Sequence, residues 1–103
     1  MSKSATIIDP IHPGEILREE FLDEYNLSAT AFAKHLGVPA NRITRLIKGT
    51  ANMTADTAFL LAAALKTTPD FWLNLQTQFD LERARSNPET SRKVQAVRPY
   101  VQA

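Results

Sequence analysis

The sequence predicts an all-α fold of about five short helices followed by a C-terminal tail. Three observations carry that reading. Nowhere do β-branched and aromatic residues alternate with polar ones over a sustained run, so strands have no signal. Apolar residues recur instead at helical spacing, as in Ala29, Phe32, Ala33 and Leu36. Capping and breaking residues stand where such stripes begin and end, among them Ser28, Gly37, Pro39, Gly49 and Thr68. At 103 residues, with 44% hydrophobic and 22% charged, the chain has the size and composition of one folded domain. The expected organisation is an N-terminal arm over 1–10, a domain over 11–85 and a tail over 86–103.

Helix 1 opens at Pro13, whose missing N–H costs nothing in a first turn, and Glu15 places negative charge near the positive helix end. Its buried stripe is expected from Ile16, Leu17, Phe21 and Leu22, ending near Asn26. Ser28 can cap helix 2 by accepting an orphan first-turn N–H. Gly37 fits the left-handed stop of that helix and Pro39 the start of helix 3, which makes a tight helix-turn-helix. Helix 3 is expected over 39–48 with Gly49 as its stop, and helix 4 over 55–66, apolar enough to be a central core helix. Thr68, Pro69 and Asp70 start helix 5, which reaches Arg83 or Arg85. After 86, Asn87-Pro88 and Arg98-Pro99 interrupt a segment with no helical period.

Composition excludes several function classes. Without cysteine there is no disulfide framework and no thiolate metal site, and two histidines alone do not complete a tetrahedral zinc set. No window approaches the roughly 18 apolar residues of a membrane span, and the first residues lack the apolar run of a signal peptide. A protein of the cytoplasm, with no cofactor and no membrane partner, is the expectation. His12 and His35 read as ordinary surface or capping residues. No nucleophile arrangement, metal set or phosphate loop marks an enzyme.

The net charge of +1 is uninformative, but its distribution is not. Six acids, Asp9, Glu15, Glu19, Glu20, Asp23 and Glu24, crowd the first quarter. Residues 25–55 carry Lys34, Arg42, Arg45 and Lys48 and no acid. One basic surface on a nearly neutral protein results. On helix 3, at about 100° per residue, Ile43, Leu46 and Ile47 fall on one side and Asn41, Thr44, Arg45 and Lys48 on the other. A helix fits the major groove of DNA, where Arg pairs bidentately with guanine, Asn with adenine, and Thr meets a polar edge or a thymine methyl. The outward four are therefore candidate base readers. Candidate phosphate contacts flank them: Ser28 and Thr30 at the start of helix 2, and Arg42, Thr50, Asn52 and Thr54 on the other edge. On periodicity alone such a polar face is solvated surface; the preceding turn and the acid-free neighbourhood favour DNA.

The run from Leu27 to Gly49 resembles the helix-turn-helix of the Cro/CI (Xre) repressor family, with apolar and glycine positions at the same spacings. Within that family the chain is similar to the HigA-type antitoxins. The residues that carry this are His12-Pro13-Gly14-Glu15 with Leu17, then Thr54-Ala55-Asp56-Thr57-Ala58, then Pro69-Asp70-Phe71-Trp72-Leu73-Asn74-Leu75-Gln76. The resemblance covers about residues 9 to 85. It implies a five-helix lambda-repressor-like DNA-binding domain. It also implies an antitoxin that neutralises a HigB-type, messenger-RNA-cleaving toxin of the RelE superfamily and represses the shared operon as a homodimer on a palindromic operator. Ala40 stands where many relatives carry a polar base-reading side chain, so Asn41 and Arg45 bear more of the expected recognition.

Helix 5 is apolar over more of its circumference than one neighbour usually buries. Phe71, Trp72, Leu75 and Phe79 are accordingly candidate dimer contacts, core packing being the alternative. The acidic face of helix 1 is either solvated or turned to a basic toxin. The tail is left open between disorder, docking on its own domain and ordering against a partner. Two other functions compatible with the sequence are a stand-alone Cro-like repressor without a toxin, and a protein-interaction module that keeps the fold without binding DNA.

Overall fold

Side-chain caps set most of the helix starts, because the first N–H groups of a helix have no partner within it. In a computed structural model that describes residues 10–101, His12 caps α1 (Pro13–Ile16) and Ser28 caps α2 (Ala29–Leu36). Thr54 caps α4 (Ala55–Leu65), Thr68 caps α5 (Pro69–Ser86) and Asn87 caps α6 (Pro88–Ala96). Only α3 (Ala40–Ile47) starts without a side-chain cap, behind Pro39. All regular structure among the described residues is helical. Of the arm expected over 1–10, only Pro10 lies among them.

Helix 1 departs from the expected register. After Ile16 the chain continues as a π-helical segment, Leu17–Leu22, in which the Asp23 N–H donates to the Arg18 carbonyl five residues back. That ladder brings residues five apart onto one face, so Leu17 and Leu22 are the wholly buried pair, with Ile16 and Phe21 half-buried beside them. Asn26 then takes a left-handed conformation at φ 55°, which its short polar side chain tolerates, and ends the segment.

The helix-turn-helix forms as expected. Gly37, at φ 79°, closes α2 while its N–H and that of Val38 satisfy the last carbonyls of that helix. The core collects Leu17, Leu22, Phe32, Ala33, Ile43, Leu46, Met53, Ala58, Leu61 and Trp72. The π-helical segment, the loop between α3 and α4, and every helix from α2 to α5 therefore contribute to one apolar centre. Burying each large side chain there is worth about 1.5–3 kcal/mol.

The segment after residue 86 differs from expectation, because it carries a sixth helix. Asn87-Pro88 reads as a break in sequence, yet it is also a start: Asn87 Oδ1 accepts the Glu89 N–H at 2.9 Å, and Pro88 is in the first turn. An exposed Glu89–Arg92 pair at 3.4 Å adds a weak i,i+3 contact. No residue of α6 is buried, so no apolar stripe announces it in the sequence. Beyond it Val97, Tyr100 and Val101 stand exposed. Among the described residues no helix is long and apolar enough to cross a membrane.

Candidate nucleic-acid interface

Helix α3 is split along its length into an apolar and a polar side. Ile43 and Leu46 are buried against the core, whereas Asn41, Arg42, Arg45 and Lys48 are exposed. Thr44 is half-buried, at the flank of the outward face rather than at its centre. Neither arginine is tied up: the ion pairs among the described residues are Arg18 with Glu19 and Asp23, Glu82 with Arg85, and Glu89 with Arg92. Both guanidiniums can therefore turn to an external acceptor without breaking an existing salt bridge.

Asn41, Arg42 and Arg45 line one wall of an open concavity of about 550 Å³, and Asn52, Thr54 and Asp56 line the other. The surface joins five expected base-reading or phosphate-contacting side chains, Asn41, Arg42, Arg45, Asn52 and Thr54, to the start of α4. It also holds an acid, Asp56, just beyond the acid-free stretch of the sequence.

The expected phosphate contacts differ in what they have left to offer. Asn52 Oδ1 faces the Gln76 amide at 3.4 Å, which leaves the Asn52 NH₂ as a donor. The Thr50 hydroxyl donates to the Arg45 carbonyl at 3.2 Å, and the Thr54 hydroxyl donates to Thr57 Oγ1 while accepting the Thr57 N–H. Both threonine protons are engaged inside the protein, so these two side chains shape the loop rather than present free donors. Ser28 Oγ accepts the Ala31 N–H at 3.0 Å and keeps its own proton, and Thr30 is exposed in the first turn of α2.

Three residues hold α3 and its following loop in place. Gly14 lies against the C-terminal end of α3 so closely that a Cβ on it would stand 1.8 Å from the Leu46 carbonyl oxygen. His12 is buried rather than on the surface. Its Nδ1 accepts the Gly14 N–H at 2.9 Å, and its ring meets Phe79 edge-on at 4.9 Å. A Cβ on Gly49 would be 3.9 Å from the same ring, so His12 lies close beside the turn after α3. Burial lowers the His12 pKa, the Ala51 backbone and the Asp80 carboxylate opposing more weakly, which favours the neutral ring whose Nδ1 accepts the Gly14 N–H. Its buried Nε2 makes no hydrogen bond of good geometry among the described residues, the Ala51 backbone being at most a weak partner.

The third residue is Gln76 on α5. It accepts the Met53 N–H at 2.7 Å and donates to Asp80 at 3.0 Å, as well as facing Asn52. This buried amide clamps the loop between α3 and α4 to the core. Its signal in sequence is a polar residue four positions after Trp72, on the face that should be apolar.

The four expected dimer contacts divide. Trp72 is wholly buried and donates its indole N–H to Thr67 Oγ1 at 2.7 Å, so it belongs to the core of its own chain and leaves the list of interface candidates. Phe71 packs edge-on to that indole at 4.9 Å yet remains 39% exposed. Leu75 and Phe79 are half-buried and, with Ile11 and Ile16, border an apolar groove of about 210 Å³.

Comparison with known proteins agrees with this geometry. The Helix-turn-helix family model matches residues 17–72. The antitoxin HigA-1 of Vibrio cholerae is 40% identical over 84 residues, which span 82% of this chain and 79% of that protein. The structure of the Pseudomonas aeruginosa antitoxin HigA with the higBA promoter superposes with a TM-score of 0.81 at 34% identity, covering 89% of this chain and 99% of that one. An addiction module antidote protein of a HigA family from Coxiella burnetii superposes with a TM-score of 0.81 at 46% identity, over 90% and 100% of the two chains.

Proposed function

We propose, for a chain that belongs to the Xre-type helix-turn-helix family and to its HigA-type antitoxins, that it represses its own operon as a homodimer and neutralises a HigB-type, RelE-like toxin encoded beside it. The single observation that carries the DNA half is the exposed, unpaired row Asn41, Arg45 and Lys48 on α3, backed by Arg42 and the Asn52 amide on one flank. Arg45 and Asn41 read base edges in the major groove, with Thr44 at the margin of that face and Lys48 beyond it. Ser28, Thr30, Arg42 and Asn52 take phosphates on either side, and Thr50 and Thr54 keep the loop in shape.

The partner copy meets Phe71, Leu75 and Phe79, whose accessible apolar parts have no cover within one chain. Two copies of α3 then address successive major grooves about 34 Å apart, which requires a palindromic operator. Repression follows when the bound dimer occludes the promoter. The toxin half rests on kinship with proteins named as antitoxins.

The test of the toxin half is co-expression of the tagged chain with its neighbouring reading frame. A small basic protein should co-purify, and it should arrest growth when expressed alone. A neighbour that neither binds nor harms the cell leaves the stand-alone repressor as the function.

A further inference from the structure

We propose that Asp56 is an internal counter-anion for the recognition arginines that raises discrimination between operator and other DNA; this rests on the DNA-binding reading of the same surface. Asp56 shares the concavity with Arg42 and Arg45, on the wall contributed by the start of α4. It is exposed, and it is the acid in a cavity otherwise lined by arginines, amides, threonines and apolar atoms. In the unbound protein it is within no salt bridge, so it too is available when DNA draws the arginine side chains into the cavity.

The discrimination follows from the shape and charge of the groups involved. A guanidinium presents five N–H donors in a rigid plane. Binding guanine through O6 and N7 uses two of them and brings up no full charge, which leaves the remaining donors for the Asp56 carboxylate. Binding a phosphate instead sets an anion beside that carboxylate, and the like charges repel. The phosphate held by Arg42 and Asn52 is common to both kinds of complex, so the difference lies at Arg45: Asp56 faces a second anion when Arg45 also holds a phosphate, and none when Arg45 sits on its base. Its position in the first turn of α4 also suits the helix dipole, so the carboxylate is held at this place at no cost to the fold.

The experiment compares the full-length wild-type chain with Asp56→Asn on two labelled duplexes, the region upstream of its own gene and a scramble of the same composition, across a salt series. Expected for D56N is a scrambled duplex bound several-fold to tenfold tighter, with the log–log salt slope steeper by about 0.9 for each copy on the DNA. Promoter binding should change less than threefold, so the ratio between the two falls. An unchanged ratio, or weaker binding to both duplexes alike, overturns the proposal. Wild-type protein that binds neither duplex refutes the DNA-binding reading itself, independently of Asp56.

Discussion

Gly14→Ala is expected to destabilise the protein by about 3 kcal/mol or more, and to lower its melting temperature by more than about 10 °C. An alanine for glycine exchange inside a helix usually gains up to about 1 kcal/mol, since it removes backbone freedom from the unfolded chain. Here the sign reverses, because the added methyl carbon would lie 1.8 Å from the Leu46 carbonyl oxygen and 2.9 Å from the Ile47 Cα. Both obstacles are backbone atoms of α3, so no side-chain rotation relieves them. Helix α1 must move away from α3, opening the contact that Leu17 and Leu46 share with the core. Thermal unfolding by circular dichroism reads the effect. A melting temperature equal to that of the wild type would mean that α1 and α3 do not meet in this way.

Trp72→Ala is expected to cost about 3–5 kcal/mol in urea unfolding, the range for removing a large buried aromatic side chain. The ring is fully buried, touches Phe21 at 5.4 Å and Phe71 at 4.9 Å between centroids, and leaves the Thr67 hydroxyl without its indole donor when removed. Trp72→Phe keeps most of the volume and loses mainly the hydrogen bond, so it should cost roughly 1 kcal/mol on that count. The pair of variants separates core from interface. If Trp72→Ala left the unfolding curve in place and shifted the dimer dissociation constant instead, the side chain would belong to the subunit contact.

Much of the site was legible in the sequence because it depends on local rules. Ser28, Gly37 and the apolar spacing of α2 and α3 fix a helix-turn-helix within about twenty residues, and a helix at 100° per residue then decides which side chains face out. Asn41, Arg45 and Lys48 are exposed for that reason. What escaped depends on contacts between distant residues. Gly14 sits beside Leu46, and Gln76 reaches Met53, over separations that no periodicity reports. Each nevertheless left a trace: a glycine in a first helical turn, and a glutamine on a face that should be apolar.

Trp72 shows the opposite limit. Phe71, Trp72, Leu75 and Phe79 form one continuous stripe in sequence, and periodicity cannot divide a stripe between core and partner. The packing of Phe21 and Thr67 against the indole makes that division. The π-helical turn is similar, since an i→i+5 register exchanges Phe21 for Leu22 at the buried position and has no sequence signature of its own. Helix α6 escaped because it buries nothing, so only its cap residues Asn87 and Pro88 betray it.

Whether α3 reads an operator is decided by titrating the duplex upstream of the protein's own gene with wild type, Arg45→Ala and Arg42→Ala. Arg45→Ala should lose about 1–3 kcal/mol on that duplex and relax preference at one base pair of each half-site. Arg42→Ala should show a more even loss across sequences, with a salt slope shallower by about 0.9 per copy. Wild-type affinity in both variants would place any DNA contact on another face of the molecule and rule out operator reading by α3.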